Sequence, residues 1–265
     1  MKPSTVLLGE MTDPEVEAFV TGGGDTVLVP VGATEQHGPH SPLCTDTLLA
    51  SEVSRRVAEQ IGAVVAPPVP YALSYPHVGF RGVVHLRLST FCALVEDLCA
   101  CFATMGMRRI VFVNGHFDNT FAIAHACATA ASTLPAGVRA FPVNYWDGLT
   151  ADEQARWMGG DAGLHANEAE ASAVLAVDPR LVDRDLLNRE LPPFPTYRVR
   201  NAGAVHTAFF FTTPGSVHRA TASGTWGDAT GATPEIGEEY LQAGVRSTLL
   251  LLEEIDRTFD ALPPR

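Results

Sequence analysis

The alternation of short β-branched runs with longer helical patterns most constrains how this chain can fold. Strand-like runs occupy residues 26–31, 63–66, 109–113 and 138–143, and apolar residues at helical spacing occupy 45–61, 90–105, 120–132, 165–176 and 235–259. Strands that alternate with helices of this length indicate βαβ units with right-handed crossovers. The sequence therefore predicts an α/β fold, a three-layer α/β/α sandwich with a mainly parallel sheet. About five units are present, too few for an eight-unit barrel.

A single domain over residues 1–265 accounts for the whole pattern. The stretch 186–233 departs from the alternation, since it is rich in proline, glycine and threonine. Such a composition favours a long loop or hairpin insertion over a second domain. Hydrophobic residues make up 46% of the chain and charged residues 18%, which excludes a disordered or coiled-coil protein.

Charge and cysteine usage limit the partners and the compartment. The net charge is −12, so no basic surface is available for nucleic acid or an anionic membrane. The five cysteines include no Cys-x-x-Cys pair, and reduced thiols are expected. No signal peptide and no membrane span are predicted. We therefore expect a cytoplasmic protein that binds neither nucleic acid nor membrane.

The first group of chemically suggestive residues follows the first strand. Glu35 and His37 are two positions apart, so in extended backbone they point the same way, and Asp46 follows nine residues later. Oxygen and nitrogen ligands without thiolate suit Zn²⁺, Mn²⁺ or Fe²⁺, and an aspartate can bridge two such metals. The alternative is that Glu35 and His37 are polar loop residues and that Asp46 caps a helix.

Two further groups lie later in the chain. His116 follows the 109–113 strand, with Asp118 beside it, although a lone histidine can also be a hydrogen-bonded core residue. His165 and Glu168 are spaced to share one face of a predicted helix, whereas Glu170 would lie about 200° from Glu168. One of these two glutamates could bind a metal and the other orient a histidine. Ordinary acids at a helix N-terminus are the alternative.

Together these segments resemble the creatininase (creatinine amidohydrolase) family. The resemblance rests on stretches that follow the family's order along most of the chain: 29–40, 46–47, 114–119, 165–172 and 227–235. It implies an α/β/α fold, two divalent metal ions per subunit (Zn, Mn or Fe), and hydrolysis of an amide-type C–N bond through a hydroxide that bridges the metals. It also implies a homo-oligomer, often a hexamer.

The resemblance also implies a role for each matching residue. Glu35, Asp46 and His116 would bind one metal, and His37 with the bridging Asp46 would bind the other. Creatininase has a glutamate at the position of Asp118, whereas many relatives place one at the position of Glu168, and we prefer Glu168 as the last ligand. His165, with Asp118, would then be catalytic and move a proton to the leaving nitrogen.

The substrate is expected to be a small molecule with a cyclic or linear amide. Trp146 matches a pocket tryptophan of creatininase, His77 lies in a glycine-rich segment that could line a pocket, and Arg81 could meet an anionic substrate. A peptidase of the mycofactocin-precursor type is the alternative within enzymes. A non-catalytic binding protein on the same scaffold is the alternative outside them.

Overall fold

A computed structural model of the chain describes residues 5–158, 163–191 and 212–262. Its α-helices are α1 (Asp13–Thr21), α2 (Thr45–Ile61), α3 (Leu88–Met105), α4 (Thr120–Ala131), α5 (Ala151–Trp157), α6 (Glu168–Val177), α7 (Ser216–Ala220) and α8 (Pro234–Asp260). Its strands are β1 (Thr26–Val31), β2 (Val64–Val65), β3 (Arg109–Asn114), β4 (Arg139–Asn144), β5 (Gly163–His165), β6 (Arg189–Glu190) and β7 (Trp226–Asp228).

The first four strands form one parallel sheet in the order β2-β1-β3-β4. Its two central strands, β1 and β3, are buried almost throughout, because helices cover both of their faces. On one face Leu28 and Val111 pack with residues of α2, α6 and α8, and on the other Val29 and Phe112 pack with α3 and α4. The predicted three-layer sandwich with a mainly parallel sheet is confirmed.

The ends of several elements agree with the sequence prediction because strong local signals mark them. Helix α2 and strand β1 have the predicted limits, and α3 ends at Met105, just before Gly106, whose φ of 105° is accessible to glycine but costly for other residues. Helices α1 and α5 were not predicted. The predicted helix start at His165 is wrong, since His165 ends strand β5 and α6 begins at Glu168.

A second, antiparallel sheet of three short strands lies in the order β5-β7-β6. Two of these strands and helix α7 belong to the stretch 186–233, in which a loop or hairpin insertion was predicted. Residues 192–211 of that stretch lie outside the described residues. The described parts thus contain regular structure on both sides of that gap, and the single-domain interpretation stays a prediction.

Helix α3 is long and apolar enough to cross a membrane by length and composition alone, with a mean hydropathy of 1.5. It nevertheless packs on α4 and β3 as one of the outer helices of the sandwich. Only 22% of it is buried within the chain, and Ala93, Ala100 and Cys101 are among its exposed residues. All five cysteines are free thiols.

Candidate metal centre

The carboxyl ends of β1, β3 and β4 lie side by side, since Val31, Asn114 and Asn144 are in register across the sheet. The Asn114 side chain holds the turn after β3: its Nδ2 donates to the carbonyl of His116 (2.7 Å) and its Oδ1 accepts from the amide of His116 (3.1 Å). The loop after β1 carries Glu35 to the same edge. As expected for parallel strands, residues distant in sequence meet there.

A glycine at the end of each central strand brings helix α2 against this edge. A Cβ atom on Gly32 would lie 2.3 Å from the backbone nitrogen of Thr47, and one on Gly115 would lie 2.5 Å from the carbonyl oxygen of Asp46. Any other residue at these positions would push the first turn of α2 outward. The close approach places the Asp46 carboxylate, in that first turn, beside both strand ends.

Asp46 lies between two imidazoles, one for each carboxylate oxygen. Its Oδ1 is 3.0 Å from His37 Nε2, and its Oδ2 is 3.1 Å from His116 Nδ1. All three side chains are buried. A carboxylate that faces two histidines in this way is suited to bridge two cations.

Glu35 is fully buried, and with Asp46 and His116 it forms the first half of the centre. Its Oε1 lies 3.4 Å from His116 Nδ1, 3.3 Å from His77 Nε2 and 3.8 Å from His165 Nδ1. Ser74 Oγ donates to the other oxygen, Oε2, at 2.6 Å. Glu35, Asp46 and His116 each offer one ligand atom close enough to share a metal ion.

The second half is built by the turn between β5 and α6. His165 ends the strand, Ala166 adopts a φ of 52°, and Asn167 caps the helix by accepting from the amide of Glu170 (3.2 Å). The Glu170 carboxylate turns back and accepts from the amide of Ala166 at 2.5 Å. This places Glu170 with His37 and His165 in a second group that could hold a metal.

Burial and charge set the protonation of the centre in opposite directions. Burial raises the pKa of Glu35 to about 8. Burial would lower the pKa of His37, but the Asp46 carboxylate outweighs it and raises that pKa to about 9. Burial alone would raise the pKa of Asp46, yet His37 and His116 hold it well below its usual range. The centre therefore carries protons at the places where metal ions would supply positive charge.

The remaining histidines behave differently. Burial and the neighbouring imidazoles hold the pKa values of His77 and His165 well below the usual range, so both rings are neutral. Burial opposes charge on His116 as well, but Glu35, Asp118 and Asp46 keep its pKa well above the usual value. Burial raises the pKa of Glu170.

The structure brings most of the predicted residues together, but not Glu168. The Glu168 carboxylate lies against Gly231, where a Cβ would be 2.1 Å from its Oε1, and it belongs to none of the groups of described residues that could hold a metal. The reason is local: α6 starts at Glu168, so His165 and Glu168 do not share a helix face. Asp118 lies on the far side of His116, with Oδ2 3.8 Å from Nε2.

The three residues predicted to bind substrate lie in different surroundings. His77 contacts the centre directly through Glu35. Trp146 is buried, and its ring stacks parallel to that of Phe117, in the loop that follows His116, at 6.0 Å between centroids. Arg81 is exposed and makes no hydrogen bond or ion pair with any described residue of the centre.

Sequence reasoning missed Gln36 and Ser74. Gln36 stands between two predicted ligands, and its side chain contacts His77 and His165. Ser74 reaches Glu35 from a proline-rich loop, and nothing in its sequence surroundings marks it.

The fold and the centre define a mixed α/β protein with a buried carboxylate–imidazole cluster at the carboxyl edge of a parallel sheet. The sequence profile described as creatinine amidohydrolase (creatininase) matches residues 9–252. The chain belongs to the creatininase family, and it is an enzyme of the creatininase-like amidohydrolase class.

Individual proteins support this membership. The creatinine amidohydrolase of Pseudomonas putida is 34% identical over 257 residues, which cover 91% of this chain and 94% of that protein. A mycofactocin precursor peptide peptidase of Mycolicibacterium smegmatis is 37% identical over 196 residues, 69% of this chain and 67% of that protein. Solved creatininase structures, a mutant of Zn–Zn type and a Mn form, are 32% and 31% identical, each with a TM-score of 0.80 over 95% of this chain and 98% of theirs.

Proposed function

We propose that this protein hydrolyses a C–N amide bond of a small molecule with the help of two divalent metal ions. The observation that carries the proposal is Asp46, whose two carboxylate oxygens face the ring nitrogens of His37 and His116 at 3.0 and 3.1 Å. Buried Glu35 Oε1 and Asp46 Oδ2, which face the centre, have no hydrogen bond of normal geometry to any described residue. Buried oxygen atoms without a donor are explained if cations satisfy them.

The two groups of ligands divide as follows. Glu35, His116 and one oxygen of Asp46 would hold one ion, and His37, Glu170 and the other oxygen of Asp46 would hold the second. Glu170 replaces Glu168 in the set expected from sequence, because the turn at Ala166 directs its carboxylate inward. These hard oxygen and imidazole donors suit zinc or manganese.

Three further side chains, those of His165, Asp118 and Ser74, are proposed to act beside the metal ligands. The ions, when bound, supply an activated water and polarise the amide carbonyl. His165 directs Nδ1 toward the centre and is placed to carry a proton to the leaving nitrogen. Asp118 faces His116 Nε2 at 3.8 Å and is placed to orient that ring, and the catalytic role expected of it from sequence stays a prediction. Ser74 fixes the Glu35 carboxylate.

Two matched variants test the ligand set. Glu170→Gln should lower manganese content, measured by elemental mass spectrometry, from about two ions per subunit to about one. Glu168→Gln makes the same change two residues away in the same helix turn and should keep both. Asp46→Ala should lose both ions and all hydrolytic activity. The proposal would be refuted by an Asp46→Ala protein that retains full activity, and the Glu170 assignment by loss of an ion only in Glu168→Gln.

The substrate is proposed to be a cyclic or linear amide. The creatinine amidohydrolase relative favours a cyclic substrate, and the peptidase relative, with 37% identity, favours a linear one. A comparison of creatinine with a short peptide that ends in a free carboxylate distinguishes them, since one opens a ring and the other releases a fragment. Hydrolysis of neither, by protein loaded with two ions, would favour the binding-protein alternative.

We also propose that the protein is a homo-oligomer. Helix α3 leaves most of its apolar surface outside the chain's own core. A second copy would remove this surface from water, at about 25 cal/mol per Å². Light scattering on a sizing column gives the mass, and a monomer at micromolar concentration would refute the proposal.

A further inference from the structure

We propose that Gln36 is a positioning residue that sets which ring nitrogen carries the proton in His77 and in His165. Its side chain lies between the two rings and is buried, with 6% of its surface exposed. With both rings neutral, as burial and the neighbouring imidazoles keep them by lowering their pKa values, the position of each proton follows from hydrogen-bond geometry. Its consequence for metal binding rests on the proposed function.

A contact with the backbone, and not with either histidine, fixes the orientation of the Gln36 side-chain amide. The backbone N–H of Gly38 donates to Gln36 Oε1 at 2.9 Å. A backbone N–H needs an acceptor, so the oxygen is on that side and the NH₂ group is on the other. The NH₂ group is therefore the part of Gln36 that faces the histidines.

The two hydrogens of this NH₂ group have two good acceptors. One is His77 Nδ1 at 2.9 Å, and the other is the carbonyl oxygen of Gly224 at 3.2 Å. His77 Nδ1 must be unprotonated to accept. Its ring proton is then on Nε2, which lies 3.3 Å from Glu35 Oε1.

His165 has the same tautomer for a different reason. Its Nε2 lies 2.7 Å from the backbone carbonyl oxygen of Gln36, a distance at which two lone pairs would repel. Nε2 therefore carries the proton and donates it to that carbonyl. The contact of 3.2 Å between His165 Nε2 and Gln36 Nε2 is then one between two N–H groups and not a hydrogen bond. This leaves His165 Nδ1 as the nitrogen that faces the centre without a proton.

The two rings thus offer opposite chemistry to the same centre. His165 presents a lone pair, as a group that accepts a proton must. His77 presents an N–H that faces Glu35, and it cannot bind a metal through Nε2 without losing its hydrogen bond from Gln36. Residue 36 sets both tautomers, one through its side chain and the other through its backbone.

Gly224 supports the assignment from the other side of Gln36. A Cβ atom at residue 224 would lie 1.8 Å from Gln36 Oε1, and the φ of Gly224 is 90°. The absence of a side chain at residue 224 is therefore required for the amide to occupy this place.

The test is the ring-proton position in protein labelled with ring-¹⁵N histidine, read from long-range ¹⁵N–¹H spectra of metal-free and zinc-loaded protein. His77→Ala and His165→Ala spectra assign the signals. The wild type should show both rings protonated at Nε2. In Gln36→Glu, which keeps the shape of the side chain but removes its donors, the His77 proton should move to Nδ1, while His165 should not change. Gln60→Glu makes the same substitution on the exposed end of α2 and should alter neither ring.

Zinc affinity gives the second measurement. Gln36→Glu should weaken zinc binding about 10–100-fold, as is typical when a partner that orients the metal centre is lost. Gly224→Ala, which displaces the amide, should give His77 as a mixture of both tautomers. A wild-type His77 protonated at Nδ1, or a Gln36→Glu spectrum equal to the wild type, would overturn the proton assignment. Unchanged zinc affinity would overturn the positioning role. Failure of the wild type to bind zinc would refute the proposed function, while the metal-free spectra would still decide the tautomers.

Discussion

Metal binding to this centre should release about three protons per subunit at pH 7. In the metal-free protein the pKa of Glu35 is about 8, so the group is about nine-tenths protonated at pH 7, and the pKa of His37 is about 9, so it is almost fully protonated. His116, with a pKa well above its usual value, adds a third proton. All three groups must lose their protons before they can bind a cation.

The affinity of the centre for metal should therefore depend steeply on pH. With about three protons released, the product of the two binding constants should rise about 1,000-fold for each pH unit below 8. The slope should decrease as the pH passes 8 and then 9, where Glu35 and His37 lose their protons without help from a metal.

Calorimetry measures this release directly. Manganese is titrated into metal-free protein at pH 7 in two buffers of different ionisation enthalpy, and the difference in heat gives the number of protons. Manganese is preferred because water bound to zinc can lose a proton of its own near pH 7. Asp147→Asn, which removes a carboxyl group outside the centre, is the control and should leave the number unchanged. Release of fewer than one proton would show that the imidazole–carboxylate charges are not arranged as described.

Stability and assembly provide three further tests. The thermal midpoint of metal-free protein should fall from pH 7 to pH 9. The folded-state pKa values of Glu35 and His37 exceed their ordinary values of 4.5 and 6.5, so the stability that these groups confer is lost as the pH rises through about 8 and about 9. A midpoint that rises between pH 7 and pH 9, measured by calorimetry, would contradict the pKa shifts. Gly237→Ala should lower the free energy of unfolding in urea by about 1–3 kcal/mol, because the new Cβ would lie 1.9 Å from the carbonyl oxygen of Ser172. Gly244→Ala in the same helix is the control: its Cβ would have its nearest neighbour at 3.2 Å, so the loss of stability should be smaller. A larger loss for Gly244→Ala than for Gly237→Ala would refute this account of the packing. Ala100→Arg, on the exposed face of α3, should reduce the mass found by light scattering, and an unchanged mass would show that this face is not the subunit contact.

The parts of the fold that sequence could predict are those with a strong local signal. Strands β1 and β3 are continuous apolar runs, as expected for strands covered on both faces, and their positions followed from this pattern alone. The meeting of Glu35 and His116 at one edge of the sheet could be predicted, because the carboxyl ends of parallel strands lie at the same edge. Helix α1 has no buried residue, so no apolar pattern marked it.

The parts that could not be predicted depend on one backbone angle or on tertiary contacts. A regular helix through 165–176 directs Glu168 inward, whereas the observed φ of 52° at Ala166 breaks that helix and directs Glu170 inward instead. A positive φ is unusual for alanine, so the sequence does not predict this angle. Gln36 was visible between two predicted ligands, but its role depends on Gly38 and Gly224, and Gly224 lies 188 positions away.

The wide separation of the ligands along the chain has a consequence for the order of folding events. The Gln36 carbonyl contacts His165 across 129 positions, so the second half of the centre exists only after the antiparallel sheet β5-β7-β6 has packed against the parallel sheet. The second ion, proposed to be held by His37, Asp46 and Glu170, needs residues from both halves, so it cannot stabilise the early steps of folding and binds only late. Occupation of the second site should therefore leave the refolding rate nearly unchanged and slow the unfolding rate, because this ion stabilises only the completed structure.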